Sequence, residues 1–282
     1  MIVSGSNSQV LAARLAESTG RSLARVDFDR FPDGELHASV PDVDADEAVV
    51  VASTTDSDAH LELLQLQDAL REAGVEEITT VLPYLGYARQ DRAFEPGDPV
   101  SVRAVARAVA TGTDRVVTVN PHEPAVVEEF PVPATAVDAA GRLAEPLPAD
   151  LSEPLFLAPD AGATGLAETV RDAYGRGGVD AFEKTRHSST EVTVEPRDAD
   201  VAGRDVVLVD DIVATGSTMS ESVGVLTDRD ADRVFVTCVH PMLANNAVLK
   251  LAGAGVEAIY GTDTVERAVS EVSVAPAIAD AL

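Results

Sequence analysis

Short blocks of consecutive apolar residues recur along the chain, separated by longer stretches whose apolar residues fall at i, i+3 and i+4. The blocks Val49–Ala52, Ile78–Leu82, Val116–Val119, Leu155–Ala158, Val206–Val209, Val234–Val239 and Val256–Tyr260 predict β-strands. The stretches Leu61–Ala73, Val100–Ala110, Thr164–Tyr174 and Ser217–Leu226 predict amphipathic helices. Strands separated by helices imply βαβ units, buried parallel sheets and right-handed crossovers. The expected class is α/β. The length of 282 residues suits about two domains. A helix-like stretch followed by Pro146 and Pro148 interrupts the rhythm after Val137, so the lobes are expected over 1–138 and 139–282. The segment Val272–Leu282 reads as a short helix after Pro276 that returns to the first lobe.

Parallel sheets present ligands at the carboxyl ends of their strands, so the residues that follow each strand carry the functional information. The richest such run is Val209–Ser220. Asp210 and Asp211 close an apolar strand, Ala214 and Gly216 keep the following turn small, and Thr215, Ser217 and Thr218 lead into a helix. Open N–H groups at a helix start bind anions, and two carboxylates beside them suit ribose hydroxyls or a bridging Mg2+. Together they describe a phosphorylated sugar held at both ends. Each piece alone is also ordinary capping and strand-end chemistry, and it is their order that points to a ligand.

Arg89, Gln90 and Arg92 follow the strand Ile78–Leu82. Their guanidiniums offer planar donors to a polyphosphate and the amide can bond a base or ribose; the alternative is a solvated loop pairing with Asp91 and Glu95. Lys184 and Arg186 lie in the polar segment Phe182–Thr190, with Gly175, Gly177 and Gly178 upstream as hinges. A cation on a mobile loop can offset charge developing on a transferred phosphoryl group, whereas the plain alternative is a surface lysine paired with Glu183 or Glu191. His122 and Asp160 each follow a strand, and Phe31–Glu35 alone reads as a Pro-Asp-Gly turn.

Charge sharpens this picture. Acidic residues number 48 against 21 Lys and Arg, a net charge of −27, which disfavours nucleic acid and anionic membranes as partners. Only Lys184 and Lys250 are lysines. An acid-rich, lysine-poor chain suits a cytoplasm at very high salt, where screening removes self-repulsion; an ordinary acidic protein from a GC-rich genome is the alternative. The single cysteine, Cys238, forms no internal disulfide, no apolar run reaches a membrane span, and the N-terminus lacks a signal-peptide pattern, so a cytoplasmic location is expected.

Asp210–Thr218 resembles the 5-phosphoribosyl 1-pyrophosphate loop of type I phosphoribosyltransferases and of ribose-phosphate pyrophosphokinases. The other motifs resemble the pyrophosphokinase family, in its order and over nearly the whole chain: Phe31–Glu35, Pro83–Arg92, Asn120-Pro-His122, Pro159-Asp160 and Lys184-Thr-Arg186. The resemblance implies two stacked phosphoribosyltransferase-like lobes with the active site between them. It implies transfer of a diphosphoryl group from ATP to ribose 5-phosphate, with Mg2+. ATP would be held by Phe31, Asp33, Gly34, Glu35, Arg89, Gln90, Asp91 and Arg92, the first four reaching the nucleotide of a neighbouring subunit in a homo-oligomer. Ribose 5-phosphate would meet Arg186, Asp210, Asp211 and Ala214–Thr218, His122 and Asp160 would bind metal, and Lys184 and Arg186 would be catalytic. Asn120 replaces a common Asp, and Ala163 and Leu166 replace a Gly and an Arg. The chain is shorter than typical bacterial members, leaving fewer residues for an ADP regulatory site. His37, His60 and His187 have no assigned role, and His240 is placed near the second-lobe site. A nucleobase-using transferase and an inert regulatory subunit of the same fold are the competing readings.

Overall fold

The computed structural model describes residues 1–186, 192–196 and 199–282, with the backbone alone for 184–186 and 192–196. The chain divides into two units. Unit 1 is Met1–Asp138 together with Asp263–Glu266 and Ser273–Leu282; unit 2 is Ala139–Thr262 with Arg267–Val272. Two late stretches thus pack with the first unit, where a single cut after residue 138 would assign them to the second.

Unit 1 begins with β1 (Ile2–Ser4), α1 (Gln9–Thr19), the antiparallel hairpin of β2 (Asp27–Arg30) and β3 (Leu36–Ser39), and β4 (Glu47–Val51). It continues with α2 (Ser57–Glu72), β5 (Glu77–Leu82), α3 (Ser101–Val109), β6 (Arg115–Val119) and β7 (Ala134–Val137). Strands β1-β4-β5-β6-β7 form an all-parallel sheet. Val50, Ile78, Leu82 and Val116 are buried with Leu63, Leu66 and Leu70 of α2, so the apolar runs and the helical stripe build one core. The Asp56 side chain accepts from Ala59 N–H and caps α2.

Unit 2 runs through β8 (Leu155–Ala158), α4 (Thr164–Tyr174), β9 (Gly178–Arg186), β10 (Val192–Pro196), β11 (Val206–Ile212) and α5 (Ser217–Asp228). It ends with β12 (Val234–His240), α6 (Ala247–Gly253), β13 (Ala258–Thr262) and β14 (Ser270–Val272). The sheet order is β10-β9-β8-β11-β12-β13-β14, parallel except for the β9–β10 pair. Helix α7 (Ala275–Ala279), with Pro276 in its first turn, belongs to unit 1 and packs on α1. Val274 N–H and the Arg14 guanidinium, each at 2.8 Å, meet the buried Asp263 carboxylate there. The helix-like stretch after Val137 is a 3-10 turn, Ala140–Ala144. Among the described residues no helix is long and apolar enough to cross a membrane.

One expectation is corrected. Strand β9 extends through Arg186, so Phe182–Arg186, with Lys184 and Arg186, stand on a strand backbone and not in a loop. Ala181 and Phe182 are buried, which anchors the strand, and Val194↔Lys184 and Val192↔Arg186 are paired across the β9–β10 ladder. The glycines read as hinges have other work: Gly175 closes α4 at φ +89°, and a Cβ on Gly177 would lie 2.6 Å from the Pro154 carbonyl oxygen. Residues 187–191, including His187, lie outside the described residues.

Asp205 ties three strands of unit 2 at their starting edge. Its fully buried carboxylate accepts from Ser152 N–H at 2.6 Å and from two guanidinium nitrogens of Arg233 at 3.0 and 2.5 Å. Burial alone would raise this carboxyl; the bonds from Arg233 and Ser152 outweigh burial and hold it below the usual carboxylate range. Its backbone links Leu155 N–H, and Val206 N–H meets the Arg233 carbonyl, so β8, β11 and β12 enter the sheet in register around one group. Asp205→Ala removes the acceptor of Ser152 N–H and of the part-exposed Arg233 guanidinium, and we expect it to cost about 2 kcal/mol in urea unfolding. A loss below about 1 kcal/mol would show that the register does not depend on this carboxylate.

Candidate active site

Unit 2 gathers carboxylates at the C-terminal edge of its sheet. Asp210 and Asp211 immediately precede the last residue of β11, Ile212, so the strand is longer than its apolar core suggests. Asp160 follows β8 and caps a 3-10 turn, accepting from Gly162 N–H at 2.9 Å. Burial first, then the charge of Asp211 and a hydrogen bond with it, and also Asp160, push the Asp210 carboxyl up to about 8. Asp210 also accepts from its neighbour's backbone, Asp211 N–H at 2.9 Å. Beside it in the sheet, Cys238 is a buried thiol pushed up by burial and then by Asp210, hence an inert core residue. His240 ends β12 and is buried; its carbonyl accepts from Val213 N–H.

The loop after β11 turns sharply at Gly216, whose φ of +70° is left-handed. Helix α5 starts immediately, so the N–H groups of Ser217, Thr218 and Met219 have no partner within the helix. Thr215 and Thr218 are exposed and Ala214 and Ser217 half-buried, while the Thr215 and Ser217 hydroxyls lie 3.4 Å apart. Open amides, hydroxyls and a helix start next to paired carboxylates fit a ligand carrying a phosphate at one end and hydroxyls at the other. Hard carboxylate oxygens whose repulsion is already registered at Asp210 are also the donor type that Mg2+ takes.

In unit 1, Arg89–Arg92 follows β5 along a rigid path. Thr54 N–H donates to the Tyr84 carbonyl, and Gly86 N–H donates to the Thr54 hydroxyl. A Cβ at Gly86 would sit 2.2 Å from the Thr54 carbonyl oxygen, so only glycine fits. Tyr87 then adopts φ +63° and lies 5.4 Å from the His60 ring, whose imidazole burial lowers against the opposing pull of Asp56. Ser101 donates to Gln90 Oε1 at 2.7 Å, leaving the amide nitrogen of Gln90 as a donor. Arg89 is exposed, and the Arg92 guanidinium lies 5.3 Å from the centroid of the exposed Phe94 ring. Among the described residues neither arginine pairs with Asp91 or Glu95, so the loop does not neutralise its own cations.

Phe31–Glu35 forms the tip of the β2–β3 hairpin. Phe31 N–H donates to the Glu35 carbonyl, Asp33 accepts from Glu35 N–H, and Gly34 turns at φ +95°. The hairpin is lashed to α2 by Gln65, which bonds Ala38 N–H and the Leu36 carbonyl, and by the Arg30–Asp58 ion pair. His37 meets the half-exposed Phe31 ring edge-on at 5.4 Å, a supporting role the sequence pattern did not disclose. Among the described residues no hydrogen bond or ion pair joins this tip to Arg89–Arg92.

His122 is exposed just beyond β6. Asn120 takes φ +36°, a region asparagine tolerates better than most residues, and its amide donates to Asp138 at 2.8 Å. Asp138, immediately after β7, thus brings a carboxylate beside position 120, which spacing could not reveal. The side chains of Lys184 and Arg186 are outside the description.

Comparison with known proteins accords with this geometry. Residues 1–112 match the model of the N-terminal domain of ribose phosphate pyrophosphokinase, and residues 134–260 match the phosphoribosyl transferase domain. A ribose-phosphate pyrophosphokinase of Halobacterium salinarum is 66% identical over 283 aligned residues, covering 100% of both chains. One from Methanosarcina mazei is 46% identical, covering 100% of this chain and 94% of its own. The crystal structure of phosphoribosylpyrophosphate synthetase from Mycobacterium smegmatis superposes with a TM-score of 0.85 at 26% identity, over 100% of this chain and 96% of that one. With sheets, motif order and full-length similarity in agreement, the chain belongs to the ribose-phosphate pyrophosphokinase family.

Proposed function

We propose that the chain converts ATP and D-ribose 5-phosphate to 5-phospho-α-D-ribose 1-diphosphate and AMP, in the service of nucleotide synthesis. The observation that carries this reading is the crowded Asp210–Asp211 pair beside the open start of α5. Asp210 and Asp211 hold the ribose hydroxyls, and Ala214–Thr218 holds the 5-phosphate. Arg89, Gln90, Asp91 and Arg92 hold ATP, while the tip Phe31, Asp33, Gly34 and Glu35 serves the nucleotide of a neighbouring subunit in a homo-oligomer. Phe31 is exposed at this tip, and among the described residues no hydrogen bond or ion pair joins the tip to Arg89–Arg92, which supports that assignment.

In the reaction the 1-hydroxyl oxygen of the sugar bonds to the β-phosphorus of ATP, and its proton passes to solvent. The bond from β-phosphorus to the oxygen shared with the α-phosphorus breaks, and AMP leaves with that oxygen. Lys184 and Arg186 offset the charge shared between nucleophile and leaving group. Asp160 in unit 2 and His122 in unit 1 are the residues that would serve as Mg2+ ligands, and the cation would supply charge neutralisation of the polyphosphate. The enzyme works in the cytoplasm, a setting that a single buried cysteine suits.

AMP release from ATP and Mg2+ in molar KCl should depend on ribose 5-phosphate and yield no ADP. Ribose-5-phosphate-independent release, or ADP as product, would overturn diphosphoryl transfer. Lys184→Ala should lower kcat on the order of 100-fold or more while leaving the Kd for ribose 5-phosphate within a few-fold. Comparable losses from an arginine remote from both loops would remove Lys184 from the chemistry.

The raised Asp210 carboxyl also predicts a pH effect with a defined sign. In the folded, ligand-free protein it keeps its proton up to about pH 8, whereas an unfolded chain releases it near pH 4. Its contribution therefore favours the fold at acid pH and is withdrawn as pH rises from about 4 through 8. Asp210→Asn should flatten the decline in the urea midpoint between pH 5 and pH 8. Parallel declines in variant and parent would show that Asp210 ionises normally.

A further inference from the structure

Lys250, unassigned by any motif, lies on α6 and reaches the loop between β11 and α5. Its ammonium donates to the Ser217 hydroxyl at 3.1 Å and to the Thr215 carbonyl at 3.3 Å. These are the last contacts of a continuous cradle. Leu243 N–H donates to the Val213 carbonyl at 2.9 Å, and Ala244 N–H to that of Ala214 at 2.8 Å. A Cβ on Gly216 would lie 3.3 Å from both Cβ and carbonyl oxygen of Ala247, so α6 touches the left-handed turn itself. Each residue from Val213 to Ser217 is thus contacted by the segment Leu243–Lys250.

Two features separate Lys250 from a surface lysine. The chain uses lysine at only two positions and has 48 acidic residues, yet among the described residues Lys250 forms no ion pair with a carboxylate. Its charge is therefore not neutralised and stays with the loop. An ammonium carries three donors on a compact centre, and two of them are spent on Thr215 and Ser217. The chemistry this suits is a sugar phosphate dianion at the start of α5.

We propose that Lys250 is a positioning residue for ribose 5-phosphate: it fixes the Thr215 backbone and the Ser217 hydroxyl and supplies the loop's unneutralised positive charge. This rests on the reading of Ala214–Thr218 as the 5-phosphate loop. The role is distinct from that of Lys184, because it acts on the sugar phosphate and not on the transferred group.

The test compares the full-length parent with Lys250→Gln and Lys250→Arg at fixed KCl. Calorimetric titration with ribose 5-phosphate alone is run beside steady-state AMP formation and thermal unfolding. Lys250→Gln should raise the Kd and KM for ribose 5-phosphate about tenfold, the worth of one charge-assisted contact, with KM for ATP within twofold and an unchanged melting temperature. Lys250→Arg, which keeps the charge, should recover most of that loss. Unchanged ribose 5-phosphate affinity in Lys250→Gln overturns the proposal. So does a loss shared equally by ATP and accompanied by a lower melting temperature, because that pattern is structural. A parent that binds no ribose 5-phosphate overturns the reading of the loop, whereas a parent that binds it beside an equally competent Lys250→Gln overturns Lys250 alone.

Discussion

A parallel strand covered on both faces has no place for charge except at its ends, and the chemistry of this protein follows from that constraint. Val206–Val209 are buried without exception, and Asp210 and Asp211 appear where the strand runs out of cover. The same logic puts Asp160 after β8, His122 after β6 and Arg89 after β5. Burial that would be intolerable for a carboxylate inside the sheet becomes useful at its rim. There burial and the neighbouring carboxylates raise the cost of ionising Asp210.

The opposite edge is managed by Asp205, which is also buried but fully paired. One carboxylate, just before β11, is held charged by Arg233 to set register, and another, five residues later on that strand, is kept near its neutral form. The difference lies in their partners: a bidentate guanidinium at one end, two further carboxylates at the other. What faces each acid thus decides whether it is held charged or neutral.

Most of the α/β alternation was legible because buried strands and amphipathic helices have distinct periods, and the ends of α4 fall where its pattern does. The carboxylate pair and the glycine turn at 210–218 were legible for a similar reason, since the whole arrangement is local in sequence. What sequence hid is long-range. Lys250 meets Thr215 and Ser217 across more than thirty residues, and Asp138 meets Asn120 across a strand and a turn. The polar stretch around Lys184 misled for another reason: its ladder partner, Val192–Pro196, supplies the hydrogen bonds that local composition could not announce.

The late return of the chain to its first unit carries a consequence for synthesis. Residues 1–138 leave a ribosome without the Asp263 carboxylate that binds Arg14, and without the α7 helix that covers α1. Every residue of unit 2 emerges before Ser273 does. The N-terminal unit is accordingly begun before unit 2 and completed after it, so a nascent chain keeps part of α1 uncovered until Ser273–Leu282 has been made.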